Sequence, residues 1–272
     1  MTTARPMSAE PPVVSLAGPG SWQRRTHAEQ VWGTVVTFDF RAAQFGPGFA
    51  AVLAEAVAFL HQVDAWFSTY RVDSPITMLR NGLIEVSRTP TVVQQVLRDC
   101  AQARRLTQGA FDPWAVKGGV DPSGYVKGWA AGQVADQIVR AGIANVAVNA
   151  AGDVACRGRQ APGQPWAIGI VNPYDAQQVV QVVQVTDGAV ATSGLYERGA
   201  HIVDPRTGAA QVFYDSATIV GPDAGLADAL ATAALITGPA AAAWFVDLPE
   251  WSVYLIKDGQ ASFFGPAFPD SA

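Results

Sequence analysis

The stretch "LADALATAAL", residues 226–235, sets an aspartate and a threonine four residues apart in an alanine-rich run. On an α-helix, positions i and i+4 share one face, so Asp228 and Thr232 present a carboxylate and a hydroxyl together. Hard oxygens so arranged suit Mg²⁺, which takes a few protein oxygens and completes its shell with water and substrate phosphates. An ordinary helix explains the same pair, with Asp228 favouring the first turn electrostatically and Thr232 bonding back to the preceding turn. A second cluster, "FDPWAVKGGVDPSGYVKGWA" (111–130), places two Asp-Pro pairs ahead of a helix whose first turn carries Lys127. Asp121 and Ser123 are cap-type residues, and free amides from Gly124 to Lys127 form an anion site to which Lys127 adds a point charge. A capped helix with a solvated lysine fits equally well.

Two further segments carry polar residues between strand-like runs. In "NAAGDV" (149–154), Gly152 suits a positive φ and Asp153 can accept backbone hydrogen bonds, as in a plain hairpin turn. In "ATSGLYERGAHIVDPRTG" (191–208), His201 is one of only three histidines in the chain, which makes it the candidate general base of this region. A structural histidine ahead of an Asp-Pro-Arg-Thr-Gly turn is the plainer alternative.

These clusters need elements to hold them. Residues 1–28 are rich in Pro, Ala, Ser and Gly without sustained periodicity and read as a mobile leader, with order from near Gln30 and one domain over 29–272. "VWGTVVTFDF" reads as a strand and "FAAVLAEAVAFLHQVDAWF" as the helix it feeds. A second helix starts at Thr89 or Thr91 and stops at Gly109, with arginines near its C-terminal end. A third follows "DPSG", with Val126, Ala130, Val134 and Ile138 as its apolar stripe and Gly142 past its end. From Asn145 to Val220, short β-rich runs alternate with turn signals and predict mostly antiparallel sheet. The helix of the opening stretch, a shorter one around "PAAAAWFV" and a hairpin turning at Asp258-Gly259 complete the chain. The elements predict a single α+β domain of antiparallel sheets packed with helices.

With 49% apolar and only 15% charged residues, the chain has a globular balance and is not disordered. A net charge of -5 without a basic cluster excludes an electrostatic footprint for nucleic acid or an anionic membrane, leaving small-molecule or protein partners. Cys100 and Cys156 lie far apart in sequence, so they read as free thiols rather than zinc ligands or a disulfide framework. No apolar stretch near the N-terminus is long enough for a signal peptide and no window reads as a membrane span, which predicts a cytoplasmic protein without membrane insertion.

Taken in order, these motifs resemble the ApbE family, the FAD:protein FMN transferases, also known as thiamine-biosynthesis lipoproteins. The resemblance runs through "WGT" (32–34), "FSTYRVDSPITMLRN", "GAFDP", "DPSGYVKGWAAGQVAD", "NVAVNAAGDV", "ATSGLYER", "HIVDPRTG" and "ATIVGPDAGLADALAT", covering about residues 30–240. It implies an ApbE-like fold and an Mg²⁺ ion on the FAD pyrophosphate, held by Asp228, Thr232 and the carbonyl of Gly124. It implies FAD contacts from Trp32, Tyr70, Ala110, Phe111, Asp112, Asp121, Lys127 and Ile202, although Trp32, Tyr70 and Phe111 suit core aromatics equally well. The implied reaction moves FMN from FAD to a threonine hydroxyl of an acceptor flavoprotein and releases AMP. His201 would take the threonine proton, with Asp204 as the weaker choice. Mg²⁺-dependent hydrolysis of FAD to FMN and AMP, and FAD binding without catalysis, are the alternatives; a homodimer is left open. The sequence departs from the family at Trp32, where methionine is usual, and in the short "WAVKGGV" between Asp112 and Asp121, where a segment several times longer is usual. Neither the signal peptide nor the lipid-anchored cysteine of secreted members is read in these residues, which implies a cytoplasmic version.

Overall fold

The structure, a computed structural model, describes residues 22–194, 203–210 and 212–268. Strands β1 (Gln23–Val31) and β2 (Thr34–Ala42) pair from Gln23↔Ala42 to Val31↔Thr34. "VWGTVVTFDF" is therefore not one strand: Trp32 and Gly33, at φ 58° and 71°, form the two-residue turn of a hairpin. Left-handed geometry at both central positions belongs to the turn whose twist matches the flanking strands. Regular structure is also present sooner than composition indicates, with β1 at Gln23–Val31 lying partly inside the expected leader. The reason is that β1 is a sheet edge whose exposed positions are Arg24, Thr26, Ala28 and Gln30; polar residues guard an unpaired edge and hide its strand character.

After β2 come α1 (Phe49–Phe67), the short α2 (Pro75–Arg80), a 3-10 turn at Val86–Arg88, α3 (Thr91–Leu106) and α4 (Ser123–Arg140). Then follow β3 (Val146–Ala150), β4 (Asp153–Arg157), β5 (Trp166–Asn172), β6 (Asp175–Val185), β7 (Gly188–Gly194) and β8 (Ser216–Gly221). The chain continues through α5 (Ala224–Thr237), β9 (Ser252–Lys257) and β10 (Gln260–Phe264). The segment around "PAAAAWFV" is 3-10 helix, Gly238–Phe245. Asp258 and Gly259 turn the last hairpin with φ 50° and 74°, as their types require.

Eight strands form one antiparallel sheet in the order β1-β2-β3-β4-β7-β8-β9-β10, and β5 and β6 form a separate hairpin. Because side chains alternate across a strand, each strand serves two cores. Val146, Val148 and Ala155 join Val134 and Ile138 of α4 and Leu60 of α1 on the helix side. Val154, Val190 and Val220 join Trp166, Ile170 and Val183 of the β5–β6 hairpin on the other side. Val126, Ala130, Val134 and Ile138, the stripe read from sequence, are all buried. Full burial of a side chain such as Ile138 contributes about 1.5–3 kcal/mol.

Two segments, Phe49–Phe67 and Ala224–Phe245, are long and apolar enough to cross a membrane, contrary to the sequence expectation. Alanine, leucine, valine and phenylalanine supply that hydropathy. In the second segment most of the apolar window is buried, because α5 packs against β7 and β8 of the sheet and, along its flank, against α4.

Helices α4 and α5 approach unusually closely. A Cβ at Gly128 would collide with the carbonyl of Ala224 and lie 3.1 Å from Cβ of Asp228, and one at Gly225 would lie 2.7 Å from Cζ of Tyr125. Only hydrogen at these points lets the two backbones meet.

Candidate active site

The start of α4 is the hub of the site. Pro122 stands at its N-cap without a side-chain cap, while Oδ1 of Asp121 accepts from the amide of Ser123 at 3.0 Å. Gly124 departs from helical geometry (φ -80°, ψ 17°), so the helix kinks just after it begins. The short segment before it folds back as a tight turn: the amide of Asp121 donates to the carbonyl of Pro113 at 2.8 Å. Arg80 of α2 pins that turn, donating to the carbonyls of Val120 and Lys117 at 3.3 Å each and standing 3.7 Å from the Asp121 carboxylate. Gly118 and Gly119 lie against Arg80 at φ 90° and 101°, where a Cβ would be both strained and crowded.

Two cavities meet at this point, sharing Asp121 and Ser123 as lining residues. One, of about 430 Å³, is bounded by Trp32, Phe67, Tyr70, Arg71 and Lys127. The other, of about 550 Å³, is bounded by Ala110, Phe111, Asp112, Gly124, Val203 and Thr232. The residues expected to contact one ligand thus fall on two adjoining chambers around the first turn of α4. Their environments differ. Tyr70 is 95% exposed and no core aromatic, whereas Ala110 and Phe111 are buried and show only a face to their cavity. Trp32 packs between two core clusters, and its indole N–H is buried without a hydrogen-bond partner among the described residues. Asp112 accepts from Arg104 and from the amide of Trp114, which fixes the cavity wall.

The implied metal ligands come together across the α4–α5 contact. Thr232 and Gly124 line the same cavity. Asp228, one turn before Thr232 on α5, is 2% exposed, and its Oδ2 lies 3.5 Å from the Gly128 amide. Asp228 does not itself line the cavity, so it is set behind the wall that Thr232 forms. Ser193 of β7, which sequence reading did not single out, lies with its hydroxyl 3.0 Å from that of Thr232 and fixes its rotamer. Among the described residues no three His, Cys, Asp or Glu side chains converge. One carboxylate, a hydroxyl and a carbonyl of a kinked helix start fit a hard cation that takes its remaining oxygens from water and substrate, and do not fit a softer ion.

Lys127 is not a solvated lysine. Its Nζ lies 3.2 Å from Oδ2 of Asp153, with side chains 22% and 4% exposed. The expectation that Asp153 serves the β3–β4 turn is corrected accordingly: the turn is closed by Asn149, whose Oδ1 accepts from the Gly152 amide at 2.8 Å. Asp153, at the first position of β4, faces inward and orients the lysine. An inward-facing acid just after the glycine of a hairpin was the available signal.

His201 and Ile202 lie outside the described residues. Asp204 is committed elsewhere. Arg206 grips both its oxygens at 2.8–3.2 Å, and its carbonyl accepts from Thr207 and Gly208. The Arg206 guanidinium holds the Asp204 carboxyl below the usual carboxylate range, so the weaker candidate base is a turn residue and a poor proton acceptor. Cys100 and Cys156 are free and buried; burial pushes both thiols up, Cys156 to about 12, so neither is a nucleophile near neutral pH.

A sequence model of the ApbE family matches residues 114–255, more than half of the chain and most of the elements just described. The chain belongs to the ApbE family. An FAD:protein FMN transferase of Vibrio cholerae is 38% identical over 98 residues, and one of Salmonella typhimurium 36% identical over 98 residues. Each match takes in 33% of this chain, and it spans only 29% and 28% of those relatives. Solved ApbE folds match far more completely. The flavin transferase ApbE from Vibrio cholerae superposes with a TM-score of 0.77 at 22% identity over 91% of this chain and 98% of that one. An ApbE protein from Thermotoga maritima gives 0.77 at 22% identity over 89% and 97%. The mixed α+β architecture, with its antiparallel sheets, is thus the ApbE fold.

Proposed function

We propose that this ApbE chain is an FAD:protein FMN transferase. A threonine hydroxyl of an acceptor protein attacks the FMN-side phosphorus of FAD, the pyrophosphate bond to AMP breaks, and the threonine proton passes to His201. The observation that carries this reading is the meeting of two chambers at the start of α4, one holding a lysine and the other hydroxyl and carbonyl oxygens. A dinucleotide needs such a bipartite site, with its pyrophosphate where the chambers join. The names of the curated relatives support the same activity.

Lys127, oriented by Asp153, meets the anionic phosphates; Trp32 and Tyr70 border the chamber on its side. Asp228, Thr232 and the Gly124 carbonyl would hold Mg²⁺, which when bound neutralises phosphate charge as the leaving group departs. Ser193 orients Thr232, and the Arg80 tether keeps Asp121 at the junction.

The test is incubation with FAD and Mg²⁺ beside flavoproteins co-expressed with this chain, with AMP measured and acceptors searched by mass spectrometry for threonine-linked FMN. AMP formed in step with flavinylated threonine is the expected result. Bound FAD with neither AMP nor modified acceptor would reduce the chain to a flavin-binding protein.

A further inference from the structure

Among the described residues, the face of the main sheet opposite the helices is only half covered. The β5–β6 hairpin packs over β4, β7, β8 and β9 through Val154, Val190, Val220 and Ile256, and leaves the outer face of β1 to β3 open. Between hairpin and open face runs a trough of about 700 Å³. Thr26, Ala28, Thr37 and Asn149 form its floor, and consecutive residues of β5 from Trp166 to Gly169 form its wall. β5 pairs with β6 alone, so among the described residues its other edge has no ladder partner. Such an edge is a ready template for a further strand.

Charge and register give the trough a direction. At one end Arg24 and Arg41 face each other across the β1–β2 ladder and share the single carboxylate of Asp39, at 2.9 and 2.7 Å. Two guanidiniums on one carboxylate leave a net positive charge, and Arg24 is largely exposed. Toward the other end Ala28 pairs with Thr37 and Thr37 with Asn149, and the trough reaches Gly152 in the β3–β4 turn. The next residue, Asp153, is the one that orients Lys127.

We propose that this trough binds the acceptor polypeptide as an extended, acidic segment that adds a third strand to β5 and leads its threonine past the β3–β4 turn toward Lys127. The inference rests on the transferase reading. An open trough walled by a strand edge suits a chain; small ligands are mostly buried in closed pockets.

The test uses a short fluorescein-labelled peptide with a central threonine flanked by aspartates, and its counterpart with lysines for the aspartates. The aspartate peptide should bind at least about tenfold more tightly, a difference of ~1.4 kcal/mol. It should also slow hydrogen exchange in residues 166–171. Thr37→Glu and Ala28→Glu, which put like charge on the floor at positions that line neither chamber of the site, should weaken binding of the aspartate peptide about tenfold while leaving the affinity for FAD unchanged. Equal affinity for the two peptides, no binding, binding indifferent to both variants, or protection outside β5 would each overturn the proposal. Absence of AMP release by the unaltered chain with FAD, Mg²⁺ and the co-expressed flavoproteins would instead overturn the transferase reading, because the peptide measurement does not depend on turnover.

Discussion

The two chambers around the first turn of α4 share Asp121 and Ser123 and differ in almost everything else. The first offers a cation, Lys127, held in place by a buried carboxylate, beside an exposed tyrosine. The second offers oxygens, Gly124 and Thr232 with Asp228 behind them, beside a buried phenylalanine. In the proposed reading, one side meets negative charge directly and the other meets it through a bound cation. A ligand with phosphates at the junction uses both, and the two sides are separable by mutation.

The largest effect is expected on the oxygen side. Asp228→Asn keeps the shape of the α4–α5 contact and removes a buried carboxylate, so AMP release in saturating FAD and acceptor should fall by about 10²-fold or more, with the melting temperature nearly unchanged. Turnover within a factor of two of the parent would show that this side holds no ion. On the cation side, Lys127→Met should weaken FAD binding about tenfold and cost roughly 3 kcal/mol of stability, because the buried Asp153 carboxylate loses the ammonium that faces it. Adding Asp153→Asn should restore the stability and not the affinity; calorimetry and urea unfolding read the two apart.

Smaller effects come from residues acting at one remove. Ser193→Ala frees the Thr232 hydroxyl and should cost about 1 kcal/mol in transition-state stabilisation, seen as a higher Mg²⁺ requirement. Asp204→Asn tests the turn. The folded carboxyl sits below its ordinary value of 3.8, so its ion pair stabilises above that pH and the gain is lost as pH falls through the lower folded value. The variant should melt about 2–4 °C lower at pH 7, for about 1 kcal/mol, and should converge with the parent in acid. Its pH profile of transfer should match the parent's, as a turn residue requires; a lost acidic limb would return Asp204 to the chemistry.

The helices that build the site were legible because their apolar stripes and punctuation agree: Val126, Ala130, Val134 and Ile138 are buried, and Gly142 takes φ 94° just past α4. Asp228 and Thr232 were legible as a pair because spacing alone puts them on one face. What sequence did not disclose depends on contacts between distant segments. Asp153 looked like a turn residue because nothing local records that α4 delivers Lys127 to it. Ser193 was hidden because its partner lies 39 residues away on another element. The strand β1 was hidden by the polar side chains that protect its edge. Helix α2 does carry a local signal: Ser74 caps the Thr77 amide at 3.0 Å and Pro75 occupies the first turn.

That short helix has mechanical importance. The hydroxyls of Ser74 and Thr77 both donate to the carbonyl of Ser68, at the root of the stretch of chain bearing Tyr70. From the other end of α2, Arg80 reaches the turn that ends at Asp121. A single six-residue rod thus bolts together the rims of both chambers, so neither can gape without dragging the other, and admission of the two halves of an elongated guest becomes one event instead of two.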